Sequence, residues 1–385
     1  MAVTIVGEPR APDASLQGAE QAPEPLREAV AILWSQRLAE EVSSGSERAM
    51  LVEAQYNSDS SMLISEPSRL SMEKTAGGAA RRSLSRGGFY VNRRFAIAAA
   101  ERIGKDPAEP PAGSGMKLGK KYTAASLLHA RMLSERSALT ITLCRTVNED
   151  GVEARVVVST VLVDGALLDT GIPGPSAEQM NAEGSTSWRI VHEDVLTHGA
   201  IGNVPVTSMP AVAPDPAPEA GFEGDGFVEA SWEAEAYNWI AGVKGAYFAA
   251  ADAGSAAAVA DKDFAEDCSL LACHPGFGSD ERSPEMELAL GKSHCAQCYC
   301  SKYWAAAGEQ GVIHQKVELA REVLPGELAL ILLWITVDEP GGRTRSFVTE
   351  SGLAAKGGDG EWRRVHSTLH AVRRHVMREE TSPKL

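Results

Sequence analysis

The chain repeats itself, and no other property of the sequence limits its fold as much. Asp59-Ser-Ser-Met-Leu-Ile-Ser-Glu66 matches Asp267-Cys-Ser-Leu-Leu-Ala-Cys-His274 without a gap, and a proline follows each. Both stretches read as a short half-buried strand that stops at its proline. Further on, Ser187-Trp188-Arg189-Ile190-Val191-His192 matches Glu361-Trp362-Arg363-Arg364-Val365-His366. Between these anchors, Asp150-Gly151 with Arg155 matches Pro340-Gly341 with Arg345. β-prone runs flank both turns, at 139–147 and 155–163 and again at 328–337 and 346–353. Each half therefore runs helix, short strand, helical region, strand–turn–strand, and a closing strand that carries a tryptophan. That succession predicts one domain plan, made twice.

Composition breaks set the boundaries. Residues 1–24 hold Pro9, Pro12 and Pro23 without apolar periodicity and are expected to form a disordered leader. From Pro25, which suits a first helical turn, Leu26, Val30, Leu33, Trp34, Leu38 and Val42 fall at helical spacing and open a first domain over 25–203. Within it, residues 68–128 are a helical, basic insert. Its Arg81, Arg82, Arg86, Arg93 and Arg94 invite a phosphate-binding reading, but a solvated helix that offsets an acidic remainder is the simpler one. Pro205, Pro210, Pro214, Pro216 and Pro218, then Gly221, Gly224 and Gly226, mark an acidic linker over 204–229. The second domain is expected over 230–378.

Charge narrows the partners. Lys plus Arg number 37 against 52 Asp plus Glu, a formal charge of −15. Such a surface repels phosphate backbones and anionic lipid, so neither a nucleic acid nor a membrane is expected as a partner. No apolar run reaches the ~18 residues of a membrane span. The first ten residues lack the pattern of a secretory signal, and six cysteines do not make a disulfide framework. A reducing, cytoplasmic location follows as the expectation.

Three motifs in the second half carry a family resemblance. Ile240 to Gly254, ending in a small-residue turn and followed by Phe264-Ala-Glu-Asp267, resembles the first helix and strand of the nuclear transport factor 2-like superfamily. That group includes SnoaL-like and ketosteroid isomerase-like proteins. Gly360-Glu-Trp362-Arg-Arg-Val365-His366 resembles its last strand. Gly341-Gly-Arg-Thr-Arg345-Ser-Phe-Val-Thr-Glu350 resembles one branch, the association domain of calcium/calmodulin-dependent protein kinase II. The first half resembles the family more loosely because of its insert. The resemblance implies two tandem cone-shaped α+β barrels, each a curved antiparallel sheet wrapped around about three helices. The hollow of such a cone suits a small-molecule pocket.

The resemblance also nominates residues. Tyr247 stands where ketosteroid isomerases place a phenol that donates to a developing oxyanion; a packed core tyrosine is the alternative. Leu38, at the corresponding place in the first half, cannot donate. His274 and Glu66 precede the strand-end prolines, where the isomerases carry a carboxylate base; as rim residues in solvent they would do nothing. The isomerases' protonated aspartate has no counterpart among Thr349, Glu350 and Ser351, which argues against steroid isomerisation itself. His192 and His366, in the closing strands, correspond to a cavity histidine of the association-domain branch, or are hydrogen-bonded within the sheet. Glu350 and Arg345 correspond to a charged cavity pair of that branch, or are a strand-edge pair. Trp334 is assigned to the wall of the pocket. Cys295, Cys298 and Cys300, with Cys268 and Cys273, raise the question of zinc. Their placement on an apparent helix favours buried cysteines acting as small hydrophobes, and no metal is assigned.

The resulting expectation is a tandem SnoaL-like protein with a pocket for a small apolar or carbonyl-bearing ligand. If it is an enzyme, it is a cofactor-independent isomerase, cyclase or dehydratase with Tyr247 as donor and His274 or His366 moving the proton. The rival expectation is a non-enzymatic module that forms homo-oligomers through its sheet faces.

Overall fold

The computed structural model describes residues 2–4, 16–42, 55–65, 121–147, 153–165, 186–201, 227–228, 253–274, 285–307, 312–338 and 344–375. Two compact units emerge. One spans Gly7–Val204, and the other combines Pro205–Leu385 with Met1–Val6. The leader expected to be disordered differs where it is described, at 2–4 and 16–24. Ala2–Thr4 forms a strand, β1, that pairs at the edge of the second unit. Leu16 and Ala22 are buried in the first unit, and Ala19–Gln21 makes a short 3-10 turn between them. These apolar signals are too brief to show as periodicity.

In the first unit, α1 (Glu24–Val42) precedes strands β2 (Tyr56–Ser65), β3 (Lys121–Ser134), β4 (Ser137–Val147), β5 (Glu153–Asp164) and β6 (Trp188–Ile201). They form one sheet in the order β2-β6-β5-β4-β3, in which β2 runs parallel to β6 and the other pairs are antiparallel. The last part of the expected helical insert is therefore strand: its residues from Lys121 begin β3. Leu26, Ala29, Val30, Leu33 and Trp34 lie at helical spacing on α1 and pack with Val156, Val158, Leu162, Trp188 and Ile190 of the sheet. On the opposite face, Leu139, Ile141, Leu143, Val157, Val161 and Val163 are buried as well. Burial on both faces explains why β4 and β5 read as nearly continuous apolar runs rather than alternating ones.

The second unit holds β7 (Phe227–Val228), α2 (Ala253–Asp263), β8 (Phe264–His274), β9 (Glu285–Leu290), α3 (Lys292–Ala307), β10 (Val312–Leu324), β11 (Leu328–Asp338), β12 (Thr344–Lys356) and β13 (Trp362–His375). The sheet order is β1-β9-β8-β13-β12-β11-β10-β7. β7, a short strand inside the expected linker, pairs parallel with β10. Its centre, β8-β13-β12-β11-β10, has the strand order of the first unit's sheet, again with one parallel pair.

The duplication reaches the level of register. Ser61 pairs with His192 across β2–β6, and its counterpart Ser269 pairs with His366 across β8–β13. Tyr56 pairs with Ile190 as Phe264 pairs with Arg364. Each closing strand carries one extra residue at the same place. Val191 is left between Ile190 and His192, and Val365 between Arg364 and His366, where β5 and β12 advance by one. Such a bulge re-aims the side chains on either side of it.

Candidate functional site

Four elements of the second unit bring polar side chains together on one face of its sheet. α2 ends at Asp263, and the chain enters β8 at Phe264 without a loop, which leaves that carboxylate buried. Gly291 (φ 82°) turns β9 directly into α3, a left-handed backbone that a side chain disfavours. Its N–H donates to the Cys268 carbonyl at 2.8 Å, which fixes the start of α3 on the sheet. Tyr299 then sits buried one turn beyond the buried Cys295. β12 supplies Glu350. β13 supplies Arg364 and Ser367, which reach the same carboxylate because the bulge at Val365 intervenes.

Glu350 is 1% exposed. Arg364 Nη1 donates to its Oε1 at 2.7 Å, Ser367 Oγ to the same oxygen at 3.2 Å, and Tyr299 OH to Oε2 at 3.1 Å. Arg364 Nη2 lies 3.1 Å from Asp263 Oδ2. The guanidinium also stands over the Tyr299 ring at 4.7 Å and the Phe264 ring at 5.1 Å, and these rings meet edge-on with centroids 5.5 Å apart. Burial drives the Tyr299 phenol well above its ordinary range, and the neighbouring Arg364 opposes that only in part. Tyr299 is therefore a neutral donor at any physiological pH. Glu350 thus receives three donors, two on Oε1 and one on Oε2.

His366 lies on the other face. Across β12–β13, Gly352 pairs with Ser367 and Leu353 with His366, so Glu350, Gly352 and Ser367 share one side while Leu353 and His366 share the opposite one. There His366 is buried, with Nδ1 2.8 Å from Ser269 Oγ and Nε2 3.0 Å from Thr368 Oγ1. Both ring nitrogens are engaged by hydroxyls.

The first unit builds a similar centre from other positions. Glu193, 1% exposed, receives Tyr56 OH at 2.6 Å, Thr160 Oγ1 at 3.0 Å and the Arg37 guanidinium of α1. His192, on the other face of the sheet, meets Asp194 at 3.0 Å. By register, Ser367 stands where Glu193 does, Gly352 where Thr160 does, and Arg364 where Ile190 does. The carboxylate has thus moved from the closing strand to its neighbour between the two copies.

Of the residues expected to form a site, Glu350, His366 and His192 are buried, and Glu350 and His366 are separated by the sheet. Arg345 lies on β12 opposite Asp338 and Arg374, five positions from Glu350. Among the described side chains, the guanidinium that meets Glu350 belongs to Arg364. His274 ends β8 opposite Glu285, and Trp334 lies on β11 between Lys316 and Thr349. Tyr247 and Glu66 lie outside the described residues. Cys295 and Cys298 are buried on α3, and the Cys295 thiol donates to the carbonyls of Ala289 at 3.4 Å and Cys268 at 3.5 Å. Among the described residues, no group of three or more potential metal ligands is assembled.

Sequence reasoning passed over Tyr299, Arg364, Asp263 and Ser367. One signal was present: Arg364 interrupts a closing strand that is otherwise apolar at Trp362 and Val365. A charge on a buried strand demands a buried counter-charge. Tyr299 was masked by the cysteines around it.

No protein-family model matches the sequence, and no curated protein matches it. Solved structures that match it include nuclear transport factor 2-like, ketosteroid isomerase-like and cystatin-like domains. A domain of unknown function with a cystatin-like fold from Nostoc punctiforme is 18% identical, over 35% of this chain and 75% of its own, with a TM-score of 0.26. A ketosteroid isomerase-like protein from Erwinia carotovora atroseptica is 16% identical, over 34% and 93%, with a TM-score of 0.25. A nuclear transport factor 2-like superfamily protein from Salmonella enterica serovar Typhimurium is 14% identical, over 38% and 96%, with a TM-score of 0.25.

Proposed function

We propose that the chain is a tandem protein of the nuclear transport factor 2-like type whose second unit binds a small carbonyl-bearing ligand beside the Glu350 centre. The observation that carries this reading is the set of donors converging on Glu350: a neutral phenol, a guanidinium and a hydroxyl, all withdrawn from water. A ligand oxygen that shares Tyr299 or Arg364 with Glu350 gains donors already fixed in place, at a site where water competes little. Both Glu350 oxygens are already taken by these donors, which favours binding and orientation over proton transfer as the role of this centre. Acid/base chemistry, if the unit performs it, falls to Tyr247 and His274, as the family resemblance implies.

A second reading, a non-enzymatic association module, needs an exposed sheet face. The face that bears His366 is already buried within the chain at Ser269, Leu353, His366 and Thr368, so these positions offer nothing to a partner. A ligand-dependent melting screen separates the two. Carbonyl-bearing apolar compounds are expected to raise the Tm of the wild type, and to raise it less in Tyr299→Phe, Tyr247→Phe and His274→Ala. Equal shifts in all four proteins would remove the proposed site, and no shift with any compound would favour assembly.

A further inference from the structure

We propose that Ala2–Thr4 is a detachable cap on the second unit's sheet, and that the β9 edge beneath it accepts an extended, uncharged chain segment. Residues Met1–Val6 cluster with Pro205–Leu385, whereas the residues that follow them from Gly7 belong to the other unit. The segment has left its sequence neighbours to complete a sheet more than 280 positions away, where Ala2, Val3 and Thr4 pair with Ala289, Leu288 and Glu287. Its composition suits that seat. Val3, Thr4, Ile5 and Val6 are all β-branched, and Gly7 with Pro9 then breaks the run.

The pairing is also the weaker side of β9. Among the described residues, β8 meets β9 over six registered positions, Ser269 to His274, and β1 over three. Uncapped, the strand offers unpaired N–H and C=O groups to any extended chain. Charge selects the occupant. β9 carries Glu285 and Glu287, so a second copy of the same edge brings carboxylates together, whereas Ala2, Val3 and Thr4 bring none. The cap is therefore the fitting partner, and it protects the sheet from pairing elsewhere.

Proline substitution in the full chain tests this. Consecutive amides along a strand point to opposite sides, so one of Val3→Pro and Thr4→Pro removes a donor aimed at β9, and the other is its control. Amide hydrogen exchange over 285–290 is the readout, with the synthetic peptide Ala-Val-Thr-Ile-Val as the probe. The expected result is exchange at least tenfold faster in one variant, returned toward the wild-type rate by excess peptide. Unchanged exchange in both variants overturns the cap, and faster exchange that the peptide fails to slow overturns the accepting edge.

Discussion

Arg364 is the residue on which the second unit's polar centre depends, since it alone faces both Glu350 and Asp263 with positive charge among the described side chains. Removing one partner of a buried ion pair leaves an uncompensated charge and costs about 3–5 kcal/mol. Arg364→Leu is therefore expected to lower stability by about that much in denaturant unfolding. Tyr299→Phe, which withdraws one hydrogen bond from Glu350, is expected to cost about 1–3 kcal/mol. A surface pair provides a pH test. Arg363 holds exposed Asp359 down to about 2, first through its hydrogen bonds, then with the Glu361 N–H, and last through its charge. The folded value is depressed, so the pair favours folding above the ordinary carboxylate pKa and loses that advantage as pH falls toward 2. NMR titration is expected to find Asp359 near 2 in the wild type and well above it in Arg363→Ala. Of these residues, sequence alone offered Glu350 and His366 but not that the sheet separates them. Their spacing of sixteen lies on two strands, and a face follows only once register and bulge are known. Tyr299 reaches Glu350 from the middle of α3, and Asp263 reaches Arg364 from the end of α2, and no local pattern announces either contact.

At the scale of elements, the helix and strand runs were the legible part. The α1 stripe, the strands flanking both turns and the tryptophan strands all stand where their patterns put them, because burial on one or two faces writes itself into apolar spacing. β3, β9 and β10 were not foreseen: their sequences mix charges with apolar residues, and pairing supplies what periodicity does not. The bulge at Val365 is the element that decides the site. Inserting one residue between Leu353 and Ala354 gives Val365 a partner on β12 and restores strict alternation, which puts Arg364 and Ser367 on opposite faces of the sheet. The insertion is expected to abolish cooperative unfolding of the second unit in urea. Val365→Ala keeps the residue count and loses two methyl groups, and is expected to cost only about 2 kcal/mol at ~0.8 kcal/mol per carbon. Equal losses from the two changes would show that volume, not register, matters there.

The molecule as a whole uses one sheet plan twice, with its polar residues redistributed. Both units keep a histidine on one face and a carboxylate with an arginine and a tyrosine on the other, yet the carboxylate sits on different strands. Arg37 balances Glu193 in the first unit, whereas in the second Arg364 is shared between Glu350 and Asp263. The two centres are therefore not interchangeable, and a ligand fitted to one has no reason to fit the other. Titration calorimetry with the strongest compound from the melting screen tests this directly. The prediction is one ligand per chain, with binding weakened at least tenfold in Tyr299→Phe and unchanged in Tyr56→Phe. Binding that survives Tyr299→Phe intact, or that Tyr56→Phe weakens as much, contradicts a ligand site at Glu350.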